Sequence, residues 1–82
     1  MSDDAVHSAT VRIGPNALTT TIDTEGHDFV ADEPASLGGA NEGPSPYGYL
    51  LASLGSCKVI TAQMYARRKG WSVDTIEMTL AH

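Results

Sequence analysis

One stretch limits what this chain can fold into. Gly43 to Gly70, GPSPYGYLLASLGSCKVITAQMYARRKG, reads as a single long helix. Ser45 is the expected N-cap, because its hydroxyl can accept from an unpaired N–H of the first turn. Pro46 then falls at the first helical position, where a missing N–H costs nothing and φ is already set. Gly70 suits the left-handed residue that closes the far end. Arg67, Arg68 and Lys69 sit in the last turn, where cations complement the helix dipole. Such a rod is roughly 35–40 Å long. Leu50, Leu54, Cys57, Thr61, Met64 and Tyr65 recur at i, i+3, i+4 and form one stripe, while Leu51, Val59, Ile60 and Ala62 lie largely off it. A helix that is apolar on more than one side needs cover on more than one side.

The 82 residues allow one domain, expected over 1–82 with residues 1–8 as a disordered start. A core of this size is marginal, and a partner subunit, metal or disulfide would strengthen it. A lone cysteine forms no internal disulfide, and no Cys/His spacing suggests a zinc site. Association between chains is the remaining device. The formal charge of −5, with the few cations gathered mostly at one helix end, argues against nucleic acid. The acidic start MSDDAVHSA lacks the apolar core of a secretory signal. No apolar run approaches the roughly 20 residues of a membrane span. A cytoplasmic, reducing location follows as the default, with no cofactor or metal expected.

Ahead of the helix the residues alternate with a period of two. Met1 to Asp4 reads as a frayed start. Ala9, Val11 and Ile13 share one face of a strand, with Thr10 and Arg12 on the other. Gly14-Pro15-Asn16 is turn chemistry. ALTTTID, from Ala17, is β-branched, with Leu18, Thr20 and Ile22 facing one way. After the Glu25-Gly26 turn, His27 to Ala31 forms a third strand, stopped by Pro34. Ser36 to Ser45 is a glycine-rich loop whose spacing fits neither a dinucleotide fingerprint nor a phosphate loop. It reads as a close-approach connector or as one wall of a small pocket. Beyond Gly70, Trp71 to His82 predicts a fourth strand, with Ile76, Met78 and Leu80 on one face. The order β-β-β-α-β makes an α+β fold, a small antiparallel sheet packed on one long helix. One sheet covers one side of that helix, so a second subunit or a further segment of chain is expected to cover the other.

Cys57 is the one plausible nucleophile; its plainer reading is a small apolar group in a core. Mid-helix, it gains nothing from the helix N-terminus, so reactivity needs a cation or donor from elsewhere. Lys58 is adjacent but about 100° round the helix. Arg12 is the other candidate cation, its plainer reading a solvated strand residue. His27, Asp28, Asp32 and Glu33 read as a solvated strand end rather than metal ligands. His7 and His82 fall near the termini. Tyr65 and Trp71 are expected to pack the helix end, with Tyr47 and Tyr49 near a pocket or a subunit contact.

Ordered words within residues 30–82 resemble the first half of an OsmC/Ohr-family protein, of the general OsmC-like branch. They are Asp32-Glu33-Pro34, Gly38-Gly39, Gly43-Pro44-Ser45-Pro46, Leu50-Leu51-Ala52-Ser53-Leu54-Gly55-Ser56-Cys57 and Met64-Tyr65-Ala66-Arg67-Arg68-Lys69-Gly70-Trp71. The resemblance implies an intertwined homodimer with its central helices buried between sheets. It also implies thiol-dependent reduction of small hydroperoxides, with Cys57 matching the peroxidatic cysteine and an external thiol as reductant. Arg12 is the candidate for the family's activating arginine. Where characterised peroxidases of the family carry a glutamate, this sequence reads Tyr47-Gly48-Tyr49, and it has no second cysteine. The expectation is therefore an OsmC-like thiol peroxidase or a remnant of one. The alternative is a non-catalytic dimerisation or small-ligand-binding module that keeps the same core.

Overall fold

The computed structural model describes residues 7–82. The frayed start expected at Met1–Asp4 falls outside them. Of the expected disordered start, His7 and Ser8 are described: His7 Nδ1 is 2.6 Å from Glu25 Oε2, and the Ser8 carbonyl accepts from the Thr24 hydroxyl at 2.7 Å. The elements are β1 (Ala9–Ile13), β2 (Thr20–Thr24), β3 (His27–Ala31), a short 3-10 turn (Ala35–Leu37) and α1 (Pro46–Lys69). This is an α+β fold with a three-stranded antiparallel sheet and one long helix. Contacts group into two units, Met1–Pro46 and Tyr47–His82.

In the first unit the strands lie in the order β1-β2-β3. The register joins Val11, Ile22 and Phe29 in one row, and Ile13, Thr20 and Ala31 in the next. Directly paired residues share a face, so the apolar period-two residues of all three strands fall together. The opposite face carries Arg12, Thr21 and Val30 in one row. Glu25 and Gly26 have φ of 52° and 81°. Positive φ at both central residues makes a two-residue turn whose twist matches a hairpin. The sequence predicts β2 from Ala17, yet it begins at Thr20. Gly14-Pro15 ends β1 at Ile13, so among the described residues 17–19 have no ladder partner.

In the second unit α1 runs 24 residues, about 36 Å at the usual rise. Its bounds are those that Pro46 and Gly70 predict. Gly70 has φ 75°. The Gly70 N–H donates to the Arg67 carbonyl at 3.1 Å and the Trp71 N–H to the Ala66 carbonyl at 2.9 Å. These two bonds satisfy helix-end carbonyls in the Schellman arrangement. The Trp71 ring meets Tyr65 edge-on at 5.7 Å, adding the apolar contact that accompanies it.

The fourth strand predicted over Trp71–His82 is not formed: the segment has no ladder partner among the described residues. It runs back along α1 instead. Gln63 Nε2 donates to the Val73 carbonyl at 3.3 Å, and His82 stacks on Tyr47 with ring centroids 5.1 Å apart. Ile76, Met78 and Leu80 line a groove with Leu51, Gly55 and Val59 of the helix. The period-two pattern thus selects the helix-facing side correctly. A strand also needs a neighbour for its N–H and C=O groups, and alternation alone does not supply one.

Candidate functional site

Cys57 stands near the middle of α1. Its position on the helix follows from the Pro46 start and the uninterrupted turns up to Lys69. The tail residues cover the side of the helix that carries Leu51, Gly55 and Val59. The other stripe, Leu50, Leu54, Cys57, Thr61, Met64 and Tyr65, is left exposed; Leu50 and Met64 keep 52% and 56% of their surface. The thiol is therefore exposed in this chain, where the sequence analysis expects it enclosed. A small domain can cover one side of a long rod from within itself, and the covered side is the one with the small residue Gly55.

A wide depression of about 550 Å³ is lined by Cys57, Lys58, Thr61, Ala62 and Tyr65. Lys58, although about 100° round the helix from Cys57, borders the same depression. Tyr65 forms its far edge, gripped by Trp71 and by the Lys69 ammonium 5.5 Å from its ring centroid. Arg12 lies in the other unit, exposed in the middle of β1 opposite Thr21.

The acidic cluster His27, Asp28, Asp32, Glu33 does not form one group. His27 leans on Phe29 with ring centroids 6.4 Å apart. Asp28 pairs in register with Asp23 on the opposite face. Among the described residues no group of three or more His, Cys, Asp or Glu is placed to hold a metal.

Asp32 overturns its reading as a solvated strand end. It is 2% exposed. Its Oδ1 accepts from the Glu33 N–H at 2.7 Å. Its Oδ2 accepts from the Thr19 hydroxyl at 2.8 Å, the Glu42 N–H at 3.2 Å and the Ala40 N–H at 3.3 Å. Its own N–H donates to the Pro44 carbonyl at 3.0 Å. A buried carboxylate is tolerated when its lone pairs are satisfied in this way. The Glu33 N–H above all holds its pKa below the ordinary value of 3.8; burial opposes this, and the Thr19, Glu42 and Ala40 donors assist.

The glycine-rich loop is drawn tight around that carboxylate. A Cβ on Gly39 would sit 1.9 Å from the Glu33 carbonyl oxygen and 2.8 Å from Asp32 Oδ1. On Gly43 it would sit 2.2 Å from the Val30 carbonyl oxygen. The close-approach reading of these glycines is the one the structure supports. A small cleft of about 200 Å³ adjoins the loop, lined by Leu18, Thr20, Ala31, Asp32, Glu33 and Pro46. The signal that sequence reasoning passed over was an aspartate directly before a glycine-rich turn. Short acceptors there commonly bond to main-chain N–H groups.

Among the described residues no helix is long and apolar enough to cross a membrane. Compared with known protein families, residues 39–82 match the family described as OsmC-like protein. No curated protein and no solved structure matches the chain. The matched span holds the whole of α1, with Cys57 inside it.

Proposed function

The chain belongs to the OsmC-like family, and from that we propose that Cys57 is the nucleophile of a thiol-dependent reduction of small organic hydroperoxides or hydrogen peroxide. The observation that carries this reading is an accessible thiol within the matched segment, beside an apolar-edged depression wide enough for a small hydroperoxide. The thiolate attacks the distal peroxide oxygen and the O–O bond breaks. The alkoxide leaves and is protonated to an alcohol, and the sulfur is oxidised to a sulfenic acid. A small external thiol attacks that sulfur, releasing water and forming a mixed disulfide. A second thiol restores Cys57 and departs as the oxidised disulfide. Arg12 is the candidate for the cation that favours the thiolate. A second copy of the chain is the proposed cover for the exposed stripe of α1, making a homodimer. Such thiol chemistry suits the reducing cytoplasm and a role in resisting oxidative stress.

The test is to treat the purified protein with stoichiometric cumene hydroperoxide and trap sulfenic acid for mass spectrometry. Modification at Cys57, followed by turnover when a thiol is added, is the expected result. An unmodified Cys57 removes the peroxidase reading. It leaves a non-catalytic dimerisation or ligand-binding module, the reading favoured by Tyr47-Gly48-Tyr49 standing where peroxidases of the family carry a glutamate.

A further inference from the structure

Residues 33–44 enclose a polar group that the thiol chemistry does not use. The Asp32 carboxylate, almost wholly buried, gathers donors from three places: Glu33 beside it, Thr19 before β2, and Ala40 and Glu42 on the returning limb. Its main-chain N–H adds the Pro44 carbonyl, two residues before α1 begins. The loop's own internal bonds are few, and one of them crosses from limb to limb. Gly38 N–H donates to Ala35, Gly39 N–H to Pro34, and Asn41 N–H to Glu33, with Gly38 and Asn41 at φ of 91° and 56°. Among these contacts the Asp32 side chain is the acceptor that Ala40 and Glu42 share, and the Asn41–Glu33 and Pro44–Asp32 main-chain bonds join the same two limbs beside it.

We propose that Asp32 is a latch and that residues 33–44 are a strap it holds closed, so that the strap opens as one unit when the carboxylate loses its acceptor capacity. The four side-chain partners are uncharged: one hydroxyl and three main-chain N–H groups. The ionisable groups flanking the carboxylate are Glu33 on its own limb and Glu42 on the returning one, and both engage it through the main chain. In the adjoining cleft Glu33 is the other ionisable residue, the rest being Leu18, Thr20, Ala31 and Pro46. The side-chain control over the strap therefore sits on one atom pair, Oδ1 and Oδ2 of Asp32, which holds four donors against two limb-to-limb main-chain bonds that do not involve it. An acid has one good acceptor oxygen fewer than a carboxylate, and an amide presents N–H groups where donors already point. Either change leaves main-chain donors of the strap without a partner and drives it open.

Native-state hydrogen exchange of the full chain, read as protection factors against pH, tests the latch independently of any activity at Cys57. In the wild type, the amides of Glu33, Ala40 and Glu42 are expected to be protected at neutral pH and to lose protection together on acidification, before the amides of the α1 interior. Asp32→Asn is expected to lower protection at those three amides by about tenfold or more, and to remove its dependence on pH. Thr19→Val, which keeps the carboxylate and deletes one donor, should move the acid opening to higher pH. If Asp32→Asn does not fold, the wild-type pH series and Thr19→Val decide. Protection at Ala40 and Glu42 that stays constant until global unfolding, or that is unaltered in Thr19→Val, overturns the proposal.

Discussion

Leu80 Cδ1 occupies the place where a side chain on Gly55 would begin: a Cβ built on Gly55 stands 2.9 Å from it. The tail and the helix approach each other there because the helix presents no side chain. Gly55→Ala should raise helix propensity by about 1 kcal/mol and lose a comparable amount as the Leu80 methyl moves. In a Leu80→Ala background the same change is expected to stabilise by about 1 kcal/mol. A double-mutant cycle in urea reads the coupling, and additivity of the two changes would show that the contact does not matter.

Glycines elsewhere differ in kind. Gly39→Ala and Gly43→Ala press a methyl against main-chain carbonyls, which cannot swing aside. Each is expected to destabilise by about 1–3 kcal/mol or more. Gly14→Ala meets nothing within 4 Å and should be near neutral by thermal melting.

Stability in acid should depend on Asp32. Its folded pKa lies below 3.8, held down chiefly by the Glu33 N–H. Unfolding restores the ordinary value, so the stabilisation is complete above that value and disappears as pH falls through the lower folded one. Urea midpoints measured across this window should fall with pH in the wild type. In Asp32→Asn the slope should be shallower.

Association is open to a direct measurement. Leu54 keeps 47% of its surface in the isolated chain. Leu54→Glu there should alter the stability of a lone chain by no more than about 0.5 kcal/mol. In a homodimer joined through this stripe it should instead abolish association. Sedimentation of both proteins distinguishes the two, and a stable, folded wild-type monomer would sink the homodimer.

Arg12 and Cys57 separate in their expected effects. Cys57→Ser should eliminate sulfenic acid trapping altogether. Arg12→Ala should slow oxidation by about tenfold if Arg12 is the cation that favours the thiolate, with little change in the melting temperature. An unchanged oxidation rate would return Arg12 to the role of a solvated strand residue.

The helix and the first and third strands were legible because each has a strong local signal, whereas the start of β2 and the tail after Gly70 were not. Pro46 and Gly70 bracket α1, period-two alternation marks β1, and the Glu25-Gly26 turn with Pro34 beyond marks β3, each at the bounds observed. Which side of α1 the chain covers was not legible. The sequence shows apolar residues on more than one side of α1 and does not rank them, and the tail lies on the side that Gly55 leaves low. Asp32 was misread because burial of a charge depends on donors distant in sequence, such as Thr19 and Glu42, and no local pattern announces them.

Val73, Leu80 and His82 hold the tail to the helix at separated points, with no continuous ladder between them. Such a fastening behaves like spaced buttons and not like a seam. Each can come undone while its neighbours hold, and the loosened main chain is then open to a protease's active-site cleft. Under brief digestion, the first cuts in this half of the molecule should fall between Val73 and Leu80, with α1 left whole.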